Sequence, residues 1–372
     1  MTAQIRTVSA LALAAAGLAA PAAAEFKYEN GSGGSVTLYG QFNPAIISVD
    51  DGQQTETNLV DNDLSRSRLG ILVDQPLGAN TFGFRFEAGL GFPNSTEYNQ
   101  LGSDISGWTR QDIRHFDFWL SGDWGQVSLG QGSMASDGAA EANLSYAGTA
   151  LYAYTADTNA AYLFRDPFGV LSGPSVGSMT SDFDGGRLTR LRYDTPRFSG
   201  LKLSAAWGRN ELAQNDDRDY YDIAASYSRS LGNAEFKAGL AYAVRDDNGV
   251  KRSDVIGSAA VLLSSGLSFA ASVGTRDDDT AGASDPDYYY LNVGYEGDWL
   301  AAGKTGFGVH YYDGADFNRD GSSSEVVGLG VVQRVDAWNV DAYLTYQTYS
   351  YEDDVAAYQD LSTVALGAIW KF

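Results

Sequence analysis

The chain predicts an all-β fold, a transmembrane antiparallel β-barrel of about sixteen strands, on three observations. The last eleven residues, STVALGAIWKF, put Val364, Leu366, Ala368, Trp370 and Phe372 on one side of a two-residue period. Thr363, Ala365, Gly367, Ile369 and Lys371 fall on the other. Extended chain rises about 3.3 Å per residue, so such a segment crosses a hydrocarbon layer when tilted and offers lipid one apolar face. A closed membrane barrel must end on a full strand that pairs with the first, because an open edge has no partner in lipid. The second observation is that alternating runs recur along the whole chain in an even number. The third is that their separators alternate between short turns and long polar loops, as the two rims of an outer-membrane barrel do.

In chain order, residues 1–24 read as an export signal. Arg6 gives a positive start, 8–20 is a short apolar stretch, and Ala22, Ala23 and Ala24 supply a small-residue cleavage site before Glu25. No later stretch reaches 18 uninterrupted apolar residues, so no transmembrane helix is expected. Residues 25–372 form one barrel domain. Its candidate strands are 35–48, 65–75, 80–92, 111–121, 124–131, 188–195, 200–209 and 220–230 in the first half. The second half offers 234–244, 253–264, 266–275, 287–296, 304–313, 324–334, 338–349 and 361–372. Gln75-Pro76-Leu77-Gly78, Gly122-Asp123, Leu231-Gly232-Asn233 and Ser264-Ser265-Gly266 are tight turns. The runs 50–63, 246–254, 276–285, 313–323 and 351–360 are expected as longer acidic loops.

Cost assigns the faces. In 81–92, Phe82, Phe84, Phe86, Ala88, Leu90 and Phe92 share one side, while Arg85 and Glu87 share the other. An arginine facing lipid near the midplane costs roughly 2–4 kcal/mol, so the charged side looks into a wet interior. The same argument turns Arg66, Arg68, Arg190 and Arg192 inward.

Residues 132–186 break the rhythm: small, tyrosine-containing and acidic, with no clean strand and too long for an ordinary loop. One reading leaves the segment on the surface. The sharper one folds its first part into the lumen, carrying Asp137, Glu141 and Asp157 with it.

Composition excludes several classes. Net charge is −22, or −23 once Arg6 leaves with the first 24 of 372 residues, which repels nucleic acid and attracts cations. There is no cysteine, so no disulfide. His115 and His310 lie in different strands without clustered ligands or a triad, which leaves a barrel hydrolase or an adhesin as minor alternatives. Asp316, Asn318, Asp320 and Gly321 spell the opening of a calcium loop, but Val327 stands where its closing glutamate belongs and Glu325 is two residues short. A polar hairpin tip is the plainer reading; structural calcium is the other. No cofactor is required.

SVTLYGQFNPAI (35–46), SRSRLGILVDQPLGANTFGFRFEAGL (65–90), FWLSGDWGQVSLGQ (118–131), LRYDTPRFSGLKLSAAWG (191–208) and the terminal Phe372 together resemble the general diffusion porins of Gram-negative outer membranes, of the alphaproteobacterial type. The resemblance covers essentially the whole mature chain. It implies a sixteen-stranded barrel, a homotrimer in contact with lipid and lipopolysaccharide, and a long third loop, within 132–186, that constricts a pore for small hydrophilic solutes. It also implies that Trp370 and Phe372 label the chain for the barrel-assembly machinery. On it, Arg66, Arg68, Arg85, Arg190 and Arg192 are expected as the basic side of the constriction, with Asp137, Glu141 and Asp157 as the acidic side. The segment after Gly132, SMASDGAAEANLSY, departs from the proline-glutamate-phenylalanine-glycine pattern of some relatives, so the loop tip has no residue-by-residue match. The acidic excess favours a mild cation preference; a solute-specific channel of the same fold is the alternative function.

Overall fold

A computed structural model describes residues 26–103 and 107–372; the export signal expected at 1–24 lies outside them. Sixteen antiparallel strands close into a barrel. The first, β1, runs Ser35–Phe42 and, past a break at Asn43, Pro44–Asp50. The second, β2, runs Thr55–Asp61 and Arg68–Leu77 on either side of a 3-10 turn at Asp63–Ser65. Five short strands follow: β3 Asn80–Gly89, β4 Ile113–Gly122, β5 Gly125–Ser133, β6 Arg187–Asp194 and β7 Leu201–Arg209. Eight longer ones come next: β8 Asp219–Leu231, β9 Ala234–Asp247, β10 Val250–Leu263, β11 Leu267–Asp278, β12 Asp287–Leu300, β13 Gly303–Ala315, β14 Ser323–Val335 and β15 Val340–Glu352. The last, β16, is Leu361–Lys371.

Two stretches expected as loops are strand. β9 and β10 pair as far as Asp247 opposite Val250, so only Asn248 and Gly249, both at positive φ, turn the corner. Within 50–63, Thr55–Asp61 pairs back onto Pro44–Asp50 and the connection is 51–54. Acidic residues leave a strand intact when their side of it is wet, and the true corner is the Asn-Gly pair suited to a two-residue turn.

The seam joins β16 to β1 in one register, with Phe42 opposite Trp370 and Asp50 opposite Ser362. Gly40 and Phe372 exchange two backbone hydrogen bonds of 2.9 and 3.1 Å. Phe42, Trp370 and Phe372 cluster with ring centroids 5.2–5.8 Å apart over this junction. Below it, Ser35–Leu38 has no β16 residue to pair with and takes the short strand Phe26–Glu29 instead. That cover blunts an otherwise open edge.

Side chains sort as the alternation demands. Val364, Leu366 and Trp370 face outward and are exposed, while Thr363, Ala365 and Ile369 are buried inward. Outside β3 and β4, Phe82, Phe84, Phe86, Phe116 and Phe118 form a contiguous aromatic patch with ring centroids 4.8–6.4 Å apart. The buried core lies inside the barrel, where Tyr162, Phe164, Val176 and Met179 of the 134–186 segment pack against wall tyrosines including Tyr312 and Tyr349. Burying a side chain such as Phe164 stabilises by about 1.5–3 kcal/mol, which offsets part of the entropy of ordering so long a loop.

Candidate functional site

Residues 134–186 travel along the inner wall from β8 round to β2. Asp222 of β8 accepts from the Ser136 amide and hydroxyl at 2.7 and 2.6 Å. Ser258 of β10 donates to the Ala139 carbonyl (2.5 Å) and accepts from the Ala142 amide (3.0 Å). Glu296 of β12 accepts from the Tyr146 amide at 3.0 Å, and the Tyr146 hydroxyl donates to Asp341 of β15. Tyr349 of β15 donates to the Thr155 carbonyl (2.9 Å), and Asn159 donates to Thr363 of β16 (2.9 Å). Arg165 closes the circuit on Asp51 at 2.8 Å. The wall admits this backbone because it is glycine where contact is closest. A Cβ on Gly306 would lie 2.8 Å from Tyr146 Cβ and 2.9 Å from the Ala147 nitrogen; one on Gly239 would lie 2.9 Å from the Ala139 carbonyl oxygen.

The segment thus fills the side of the lumen next to β8–β15 and leaves an opening along β2, β4 and β6. That opening is a cavity of about 820 Å³. Arg66, Arg68, Arg114 and Arg187 line one side; Asp137, Glu141, Asp157, Asp182 and Asp184 line the other, with Asp63 among the arginines and Lys371 at the end of β16. Arg66 pairs with Asp63, and Arg68 and Arg114 approach Glu87 at 3.6 and 2.6 Å. Arg187 reaches Asp137 across the opening at 3.9 Å.

The loop carboxylates repel one another. Burial, with Asp182 and Asp137 beside it, pushes Glu141 up to about 7; burial pushes Asp182 up to about 6. Asp157 and Asp184 are held well above the usual carboxylate range, by burial first and then by neighbouring carboxylates. The acidic side therefore carries less charge at neutral pH than its residue count implies, whereas guanidinium groups stay charged.

Of the arginines expected at the constriction, Arg66 and Arg68 line this cavity together with Asp137, Glu141 and Asp157. Arg85, Arg190 and Arg192 line a second cavity of about 620 Å³, nearer the short turns. There they are paired: Arg190 with Asp117 at 2.7 Å, Arg85 with the same carboxylate at 3.5 Å, and Arg192 with Asp194 at 2.8 Å. Arg114 and Arg187 escape the alternation. A β-bulge between Glu87 and Ala88 of β3, which pair with His115 and Ile113, leaves Arg114 as the extra residue and turns it to the lumen. Arg187 is the first residue of its strand, where no period yet exists.

In the loop read as a calcium site, Asp316 accepts from the Gly321 amide at 2.6 Å and Asn318 donates to Tyr351 at 3.2 Å. Among the described residues no group of three or more His, Cys, Asp or Glu side chains is placed to hold a metal ion.

A wet barrel lined by facing charges is a channel architecture, and residues 8–354 match the family model of the Gram-negative porins. The chain belongs to the Gram-negative porin family. As a porin it lies in the outer membrane and lets small hydrophilic solutes and ions pass by passive diffusion. No curated protein sequence matches it. Among solved structures, an anion-selective porin from Comamonas acidovorans is 19% identical with a TM-score of 0.60, covering 91% of this chain and 100% of its own. The outer membrane channel DcaP of Acinetobacter baumannii is 13% identical, TM-score 0.59, covering 93% and 99%. OmpT, an outer membrane protein of Vibrio cholerae, in its trimer form is 14% identical, TM-score 0.57, covering 91% and 99%. At these identities the likeness is one of fold.

Proposed function

We propose that solutes cross this porin between the arginine wall and the acidic arm of the 134–186 loop, and that this gap is the constriction. The observation that carries the reading is the single cavity lined by Arg66, Arg68, Arg114 and Arg187 on one side and by Asp137, Glu141, Asp157 and Asp182 on the other. Facing charges of opposite sign orient water across the gap, and an apolar molecule would have to displace that water. Two unit charges about 8 Å apart interact by roughly 0.5 kcal/mol in bulk water and about 2 kcal/mol at an effective dielectric of 20, so selectivity is mild and falls with salt. The overall charge of −22 concentrates cations at the mouths, which favours a cation preference at alkaline pH. Nothing in this mechanism breaks a bond, and we infer no enzymatic role. Liposome swelling with sugars of graded size tests the general pore: rates should fall smoothly with size, and saturation by one sugar would instead identify a solute-specific channel.

The proposed assembly is a homotrimer. The outer phenylalanine patch on β3 and β4 is the face we assign to the subunit contact, since it belongs to the shorter wall and is contiguous. The 90–112 loop supports a limited role there, because Ser95 is bonded to Asp157 and Gln100 bonds Leu163 of the same chain at 2.7 and 3.1 Å. Among its described residues Leu101, 76% exposed, and Trp108, 55% exposed, stay free to touch a neighbour. A denaturant-free gel that gives only monomer would overturn the trimer.

A further inference from the structure

Behind the 134–186 loop, on the side away from the constriction, the inner faces of β8–β11 carry two charged rows. The outer row sets Tyr220, Arg245, Arg252 and Asp278 side by side across four strands; the inner row sets Asp222, Ala243, Asp254 and Arg276. Arg245 and Arg252 are direct cross-strand neighbours, an arrangement that like charges disfavour. Nearby carboxylates do not resolve it. Arg245 stands 3.7 Å from Asp278, and Arg252 Nε stands 3.9 Å from Asp254, both beyond hydrogen-bond reach. The Nε atoms of both guanidiniums are buried without a hydrogen-bond partner. Asp254 is already taken, held at 2.6 and 3.1 Å by Arg276, which in turn lies 4.3 Å over the Phe183 ring. Asp222 is 5% exposed; one oxygen serves Ser136 and the other has no partner.

These groups surround one cavity of about 140 Å³, roofed by Phe183, Gly185 and Gly186 and open over the small side chain of Ala243. A water occupies about 30 Å³ of liquid, so the space holds about five, near the heavy-atom count of the smallest amino acids. A plain anion would gain from the two arginines and lose to Asp222, which also lines the space. A ligand bearing both charges meets both needs: its carboxylate takes the planar donors of Arg245 and Arg252, and its ammonium faces Asp222. We propose that this cavity is a binding site for small zwitterions of the α-amino acid class, separate from the constriction and close to the outer mouth.

Calorimetric titration of the full barrel in detergent with L-alanine, acetate and methylammonium tests the site. Alanine should bind saturably, with acetate and methylammonium each at least about tenfold weaker. Ala243→Leu, which fills the floor and leaves every charge in place, should weaken alanine by about tenfold or more, as should Arg245→Gln with Arg252→Gln. Heat-modifiable gel mobility confirms that each variant is a folded barrel. Absence of saturable alanine binding overturns the proposal, as does acetate binding equal to alanine, or alanine binding that survives A243L. Alanine binding lost instead on Arg66→Gln with Arg68→Gln would place it at the constriction and overturn it as well.

Discussion

The two walls of this barrel differ in height and in what they do. β3–β7 have 8–10 residues each, whereas β8–β15 have 12–14. At about 3.3 Å per residue that is roughly 26–33 Å against 40–46 Å of strand before tilt. The short wall carries phenylalanine outside and, with β2, arginine inside. The tall wall carries glycine, serine and tyrosine where the 134–186 loop rests on it, and keeps its own charged rows on β8–β11 behind that loop. The contrast teaches how a pore of this kind divides its labour: one wall is shaped to hold a loop, the other charged to face it.

The largest effect should come from denying the loop its seat. Gly306→Val with Gly308→Val puts side chains where loop atoms stand 2.8–2.9 Å away, so the loop must lift from β13. Single-channel conductance should change by at least about twofold while the barrel stays heat-modifiable; unchanged conductance would mean that the loop does not set the passage. Deleting Phe372 removes the last backbone pair of the seam and two aromatic contacts. Yield of assembled barrel should drop several-fold, with the conductance of those that assemble unaltered.

The two sides of the proposed constriction can then be set against each other. Arg66→Gln with Arg68→Gln should raise the cation-to-anion permeability ratio by about two- to fivefold, and Asp137→Asn with Glu141→Gln should lower it comparably, read as reversal potentials under a salt gradient. Equal shifts in the same direction would break the assignment of sides. A smaller effect follows from pH. Glu141 and Asp182, raised to about 7 and about 6, are ionised at pH 8 and largely protonated at pH 5. Cation preference should therefore fade with a midpoint between pH 6 and 7. The sign for stability runs the same way: because the folded-state values lie above the unfolded ones, the folded state holds more protons between pH 4 and 7, and the loop's hold weakens as pH rises through that window. A melting temperature that climbs from pH 5 to pH 8 would contradict it. Smallest of all, chelator should shift the melting temperature by no more than about one degree, since Asp316 and Asn318 are already engaged by Gly321 and Tyr351.

The strands were legible because lipid imposes the two-residue period and charge cannot cross to the lipid side; β16 and β3 read directly from Trp370 and Arg85. Corners were harder. The acids of 246–254 imitate a loop, and only Asn248-Gly249 marks the turn. At the passage, Arg68 follows from alternation, whereas Arg114 depends on a bulge that no period foretells. The route of 134–186 was not legible at all. It is set by one or two hydrogen bonds each to Asp222, Ser258, Glu296 and Thr363, residues up to 204 positions away in sequence, with glycine clearances between them.

The seam has a further consequence in time. Asp50 meets Ser362 and Gly40 meets Phe372, so the sheet has two bare edges until 362–372 pairs with 40–50. Joining ends so far apart is thermodynamically modest, because each doubling of loop length adds only about 0.6 kcal/mol. The danger is kinetic: a sheet not yet closed presents edges able to pair with those of its neighbours. By laying Phe26–Glu29 along the lower part of β1, the chain closes a portion of that first edge with residues that emerge at the beginning. The remaining length of β1 is left for β16.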